Sequence, residues 1–367
     1  MHSRHFPWLA GSLPSVIRSW TWVISQVALS FAGPKVEDEP MGASVEITSG
    51  LRASFDQAFA AIDPGYQPRL QAEWDWRTRQ VPGGAPAETL LDRRGRVQAH
   101  YAALGTRVLD GEHCLPVAQV VDTFASSELS LPRRVRAFTR ACESFVESTC
   151  LPAAGGFVLC YGFPVRPAWR IGRAHLGYTV LQEFWRQGIG AQDAARSLVA
   201  GDLAFEDDCE WPSELDAFFA QHAGELGLPF MRDTAFLRWR FDQRPNVKYS
   251  RCLLRRGLGL AGWAVLRVTD WSGERVALVC DRFCATGDQE AELALDHWLG
   301  TQALAAGVTH LVAAGGEHSP EFRGAQERGW RIARSDYCMV GRSFDPDRPD
   351  SDWARRLRWT LADTDLV

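Results

Sequence analysis

Four arginines, Arg133, Arg134, Arg136 and Arg140, crowd one short stretch just after Pro132, where an apolar-periodic segment begins. Positive charge at a helix start opposes the helix dipole by a few tenths to about 1 kcal/mol per residue. Two uses fit such a cluster. The guanidinium groups hold phosphate oxygens through charge-assisted hydrogen bonds, or they solvate an exposed face, since Arg133, Arg136 and Arg140 lie opposite the Val135, Phe138 and Cys142 stripe. Side chains able to move a proton flank the cluster: Asp122 in Val121-Asp122-Thr123-Phe124, and Tyr161 in Tyr161-Gly162-Phe163-Pro164. His100, His175 and Glu128 are bases by residue type, with no partner legible in the sequence.

Other chemistries are disfavoured. The nine cysteines are odd in number, irregularly spaced and without a Cys-x-x-Cys pair, so neither a disulfide framework nor a zinc site is expected. A reducing, cytoplasmic setting fits this cysteine usage better. No P-loop, dinucleotide fingerprint, Gly-x-Ser-x-Gly elbow or His-Glu-x-x-His motif is present. Lys+Arg 40 against Asp+Glu 45 gives a net charge of −5, which offers nucleic acid no global basic field. The apolar run Trp20–Ala32 is short for a membrane span and is interrupted by Ser25-Gln26. Residues 1–40 are expected to be a poorly ordered extension or a mis-assigned start, with a weak membrane anchor as the other reading; no stable membrane insertion is expected.

At 367 residues, two domains are the natural expectation, and the chain repeats itself accordingly. Trp76-Arg77 is followed by Pro82, Leu90-Leu91, Arg93-Arg94-Gly95 and Val121-Asp122. Trp239-Arg240 is followed by Pro245, Leu253-Leu254, Arg255-Arg256-Gly257 and Cys280-Asp281. Pro82 and Pro245 stand at the same offset from their tryptophans, as do the paired leucines, and the slightly different Trp-to-Asp spacings need only a loop-length change. Both copies end alike, on Leu176-Gly177-Tyr178 and Arg328-Gly329-Trp330. A duplicated position is more economically structural than catalytic. Asp122 with Asp281, Trp76 with Trp239, and Arg77 with Arg240 are therefore expected to be architectural, whereas Tyr161, whose counterpart region is Ala313-Ala314-Gly315-Gly316, is not copied.

The elements that must position these groups follow from pattern. A helix is expected over 55–62, strands over 88–91, 97–104 and 118–124, a helix over 132–148 with Pro132 in its first turn, and a strand over 156–161. In the second copy a helix is expected over 290–305. Two turns, Asp92–Gly95 and Leu109–Glu112, link the early strands. Strand–strand–strand–helix–strand is an α+β order with a mixed sheet. The expected division is 41–205 for the first copy, 206–345 for the second, and 346–367 as a tail.

In order and residue content this pattern resembles the GNAT superfamily of acyl-CoA-dependent acyltransferases, as a tandem pair. The resemblance rests on Trp76-Arg77, Asp92-Arg93-Arg94-Gly95-Arg96-Val97, Val121-Asp122-Thr123, Tyr161-Gly162-Phe163-Pro164 and Leu176-Gly177-Tyr178, and on Phe236–Phe241 and the segment Trp359–Asp365. It looks closest to a bacterial branch associated with surface-polysaccharide genes. The resemblance implies an acetyl- or acyl-CoA co-substrate lying between two splayed strands, here 118–124 and 156–161, with Val121, Thr123 and Phe124 along its arm. It implies an amine acceptor, such as an amino sugar. It also implies pyrophosphate at the next helix start, where glycines normally line the loop. Here Ser126–Leu131 has no glycine, so Arg133, Arg134 and Arg136 are the candidates for the phosphates. The second copy's Thr286–Glu290 loop is acidic and is not expected to take CoA. Within the same resemblance Tyr161 is the expected acid and Asp122 the candidate base; no metal is expected. The alternative is a GNAT-like protein that binds a ligand or partner without catalysis.

Overall fold

The computed structural model describes residues 49–366 apart from 64, 151–154, 165 and 272. The expectations for residues 1–40 lie outside them. Each copy unfolds in the same order. In the first, α1 (Ser49–Ala60) and α2 (Gln71–Thr78) precede β1 (Ala87–Leu91), β2 (Val97–Asp110) and β3 (His113–Ala125). Then come α3 (Leu131–Thr149), β4 (Leu159–Gly162), α4 (Arg166–His175) and β5 (Thr179–Gly190). A connecting stretch holds α5 (Ala191–Ala195), β6 (Leu203–Asp207), α6 (Glu214–Ala223) and β7 (Leu228–Pro229). The second copy repeats the first. It has α7 (Thr234–Leu237), β8 (Ser250–Arg256), β9 (Gly259–Trp271), β10 (Glu274–Cys284), α8 (Gln289–Ala305), β11 (His310–Gly315), α9 (Pro320–Glu327) and β12 (Arg331–Ser343). After β12 come α10 (Asp350–Arg356), β13 (Leu357–Arg358) and a short helical turn at Leu361–Asp363.

Local chemistry explains the early turns. Asp92 accepts hydrogen bonds from the Arg94 and Arg96 amides at 2.8 and 2.9 Å, and Gly95 takes φ +75°, which a side chain rarely tolerates. Helix α3 buries Ala137, Ala141, Cys142 and Phe145 and turns its arginines outward or toward the preceding loop, as the stripe predicts.

Eleven strands form one mixed sheet in the order β1-β2-β3-β4-β12-β5-β11-β10-β9-β8-β6. The last strand of each copy has crossed to the other: β12 pairs antiparallel with β4 (Tyr161 opposite Gly341), and β5 pairs antiparallel with β11 (Trp185 opposite Gly315). The two exchanged strands also pair with each other. The division expected at 205 therefore needs correction twice. It falls inside β6, which pairs with β8, and the copies share strands rather than standing side by side. The expected tail is also corrected. Trp353, Leu357, Leu361 and Asp363 are buried, because the segment after β12 runs across the middle of the sheet.

A pseudo-two-fold axis relates the copies, and Trp76 and Trp239 mark it. Their rings stack at 5.0 Å with a 10° interplanar angle. Each indole N–H donates to the other's backbone carbonyl, at 2.7 Å from Trp76 and 3.1 Å from Trp239. Both side chains are buried, so neither N–H has water as an alternative. Replacing Trp76 with Ala should cost ~3–5 kcal/mol in chemical denaturation. Trp76→Phe keeps most of the packing but strands the Trp239 carbonyl, so a smaller loss of about 1–3 kcal/mol is expected.

Candidate active site

Strands β3 and β4 run parallel and pair at Val117–Leu159, Ala118–Cys160 and Gln119–Tyr161. There the pairing stops. β3 continues to Ala125, bent by a bulge opposite His100–Ala102, and β4 ends at Gly162. The bulge places Asp122 at φ 51°, a left-handed conformation that aspartate tolerates better than most residues. Arg69 holds the Asp122 carboxylate with two bonds, 2.8 and 2.6 Å, and Arg77 approaches it at 3.4 Å. Burial, the largest influence, favours the neutral acid, yet Arg69 and then Arg77 outweigh it and hold Asp122 well below the usual carboxylate range.

The second copy has the same arrangement. Its bulge lies at Val279–Asp281, and Asp281 accepts from Arg232 at 3.0 Å, Trp263 Nε1 at 3.1 Å and the Thr360 hydroxyl at 2.8 Å. Arg69 and Arg232 stand at the same offset before their tryptophans.

Where β3 and β4 part, a cleft of about 600 Å³ opens and passes from one face of the sheet to the other. The residues of β3 and β4 separate those faces. Ala118 and Cys160 point toward α3, together with Tyr101 and Tyr178. Val117, Val121, Leu159 and Tyr161 point to the opposite face, with Trp76, Tyr337 and the C-terminal segment. On the α3 side the cleft is walled by Phe138, Trp169 and Tyr178, and between the strands by Val120, Thr123, Gly162 and Pro164. On the far side stand Arg77, Arg244, Arg267, Tyr337 and Asp365.

Of the residues singled out in the sequence, Asp122 and Thr123 reach this cleft. Val121 turns into the core on the far face, and Phe124 packs against Phe55 and Phe59 at 5.3 Å each. Arg133, Arg134 and Arg136 sit at the start of α3, outside the cleft lining. Arg134 is taken up by the loop, donating to the Ser127 and Leu129 carbonyls at 2.9 and 3.3 Å. Arg133 and Arg136 are exposed. Two role expectations change. Asp122 is a poor base, because two guanidinium groups hold its charge. Tyr161 is fully buried, donates to the Asp363 carbonyl at 3.3 Å, and does not line the cleft.

Sequence reasoning missed Asp365 and Tyr337. Asp365 is exposed and lines the cleft, and loss of surrounding water there raises its pKa, with Arg77 opposing the rise. The Tyr337 hydroxyl is buried without a hydrogen-bond partner among the described residues, and burial keeps it protonated well above the ordinary phenol range. The polar pattern Asp363-Thr364-Asp365 between apolar neighbours was the available signal for Asp365. Nothing local marks Tyr337.

The second copy also parts, after Ala277–Leu311 and Leu278–Val312, around a cleft of about 890 Å³. The helix starts differ. The Asp288 side chain caps α8 by accepting from the Ala291 amide at 3.0 Å, and Glu290 and Glu292 follow in the first turn. Ser130 makes no such side-chain bond at the start of α3. Anion-ready amides therefore belong to the first copy. No cluster suited to a metal occurs among the described residues, and none of their helices is long and apolar enough to cross a membrane.

The sequence matches no protein-family model and no curated protein. Its structure is similar to that of an Enterococcus faecalis protein described as a probable N-acyltransferase (TM-score 0.62, 13% identity, covering 82% of this chain and 72% of that one). It is similar to a GCN5-related N-acetyltransferase of Anabaena variabilis (0.58, 12%, 81% and 70%). It is also similar to a tandem GNAT protein from the clavulanic acid biosynthesis pathway (0.52, 13%, 83% and 98%). The fold is GNAT-like, an α+β mixed sheet in two copies.

His100 supplies a pH test of the bulge. It is buried, bonded through Nδ1 to the Thr89 hydroxyl at 2.8 Å and packed edge-on against Phe55. Burial depresses its pKa from 6.5 to about 4. Between those values the unfolded chain binds a proton that the folded one does not, so stability falls as pH drops from 6.5 to 4, by on the order of 3 kcal/mol. Denaturation measured across that window should show the slope, and His100→Asn should flatten it.

Proposed function

We propose that the chain is an N-acyltransferase that takes an acyl-CoA into the first cleft and an amine from the opposite face. The observation that carries this reading is the passage through the sheet between β3 and β4, which ends at an unpartnered tyrosine hydroxyl and a carboxylate. An unpaired buried hydroxyl is costly unless a ligand completes it. The bare edges of β3 beyond Gln119 and of β4 beyond Tyr161 suit the amides of a pantetheine arm. The uncapped first turn of α3, with Arg133 and Arg136 beside it, suits a pyrophosphate. When bound, the acyl-CoA supplies the activated carbonyl.

The chain's own residues do the rest. Asp365, with its raised pKa, accepts the proton that an attacking ammonium must lose, and the phenol of Tyr337 donates toward the departing thiolate. Arg69 and Arg77 hold the bulge that keeps the strands apart, through Asp122. Tyr161 anchors the C-terminal segment that carries Asp365.

Calorimetry with acetyl-CoA on the full chain tests the first half of the reading. Micromolar binding is expected, weakened by about 10-fold or more in Arg133→Ala/Arg136→Ala; no heat at millimolar ligand would overturn it. Once an acceptor is in hand, Asp365→Asn should lower kcat by roughly 10²–10⁴ and remove the acidic limb of the pH profile, with acetyl-CoA still bound.

A further inference from the structure

The far wall of the first cleft carries two guanidinium groups that have no carboxylate within ion-pair distance among the described residues. Arg244, just after the α7 turn, lies over the Trp76 ring at 5.1 Å and donates to the Tyr249 hydroxyl at 3.1 Å. Arg267, on β9, is half-buried and has no ion pair among the described residues. The remaining charges nearby are committed: Arg69 and Arg77 to Asp122, and Arg240 to the Ala362 and Thr364 carbonyls at 2.9 Å each. A guanidinium removed from bulk water without a counter-ion is unfavourable, and proteins rarely leave one so placed. Here two stand together at the end of an open passage. Arg244 is crowded further by Arg240, Arg77 and Arg267, and desolvation first, then these neighbours, bring its pKa down to about 9.

The position of the pair decides which ligand it faces. Arg244 stacks on Trp76, which belongs to the face of the sheet opposite α3. A phosphate at the α3 start would lie on the other side of the passage, so these arginines meet the acceptor and not the acyl donor. Asp365 and Asp270 line the same cleft, which sets an acidic group ready for an amine beside a basic pair ready for an anion.

We propose that the acceptor is an amine that also carries an oxyanion, a carboxylate or a phosphate, held by Arg244 and Arg267 while its amine is directed at Asp365. This rests on the acyltransferase reading for its chemistry but not for its binding. Guanidinium forks suit both oxyanions equally well in geometry, so the two sources are separated by the probes.

The experiment compares matched pairs on the full chain with acetyl-CoA: phosphoethanolamine against ethanolamine, and 4-aminobutyrate against butylamine. The anionic member of at least one pair should have a kcat/KM ~10-fold or more above its neutral partner, the scale of one charge-assisted hydrogen bond. The phosphate or carboxylate source is whichever pair shows it. Arg267→Gln should bring that ratio close to one, mainly through KM. Because losing Arg244 also removes a ring contact on Trp76, Arg267→Gln is the primary variant and Arg244→Lys the second, with the charge kept and the fork lost. Neutral amines preferred or equal, or an unchanged ratio in Arg267→Gln, would overturn the proposal while leaving the acyltransferase reading intact. If acetyl-CoA does not bind at all, the acyltransferase reading falls, and calorimetry with phosphoethanolamine and 4-aminobutyrate alone decides this one. Heat lost in Arg267→Gln supports the anion site, and no heat from either probe overturns it.

Discussion

The exchange of β5 and β12 is the constraint that the remainder of the molecule obeys. Without it, β4 and β11 would each end a sheet, leaving unpaired backbone groups at what is now the buried centre. With it, the two copies become one sheet, and each supplies a wall of the other's cleft. The first cleft opens between β3 and β4, but its far side is built from β9, β12 and the C-terminal segment. The reciprocal indole bonds of Trp76 and Trp239 fix the axis about which that exchange occurs. A shift of one copy against the other would break both bonds and misplace Arg244, which lies on the Trp76 ring. Fold and site geometry are thus the same interaction seen at two scales.

The duplication was legible because it lives in local spacing: tryptophan to proline, paired leucines, a turn glycine, then an aspartate. Strands β1 to β3 and helices α3 and α8 were legible for the same reason, since their periods and turn residues are written within a few positions. The exchange was not. Nothing within Thr179–Gly190 states that its neighbour on one side is β11, because strand pairing is a long-range choice among compatible edges. The C-terminal segment, residues 346–367, was expected to be a tail. Its residues 361–364 are buried because Arg232, far upstream, bonds Asp363 at 2.9 and 2.6 Å, and Arg240 takes up the Ala362 and Thr364 carbonyls. The candidate site was half legible: the bulge and the parted strands, but not the carboxylate that faces them.

The C-terminal segment also explains why two equivalent clefts need not be equally useful. Leaving β12, it has no counterpart after β5, where the chain goes instead to α5 and the sheet edge at β6. One strand of polypeptide therefore crosses a nearly symmetric centre and makes it asymmetric. At the second bulge it adds the Asp363 carboxylate and the Thr360 hydroxyl to the Arg232–Asp281 pair, giving one arginine two carboxylates. At the first bulge the balance is reversed, with two arginines on Asp122. Buried charge is tolerated only when it is matched. The first cleft, with its surplus of guanidinium, accommodates one more carboxylate beside Arg77, and the same segment delivers Asp365 there. The second cleft has its surplus of acid already and a helix start capped by its own aspartate. Divergence of the two copies thus follows from where the segment after β12 lies.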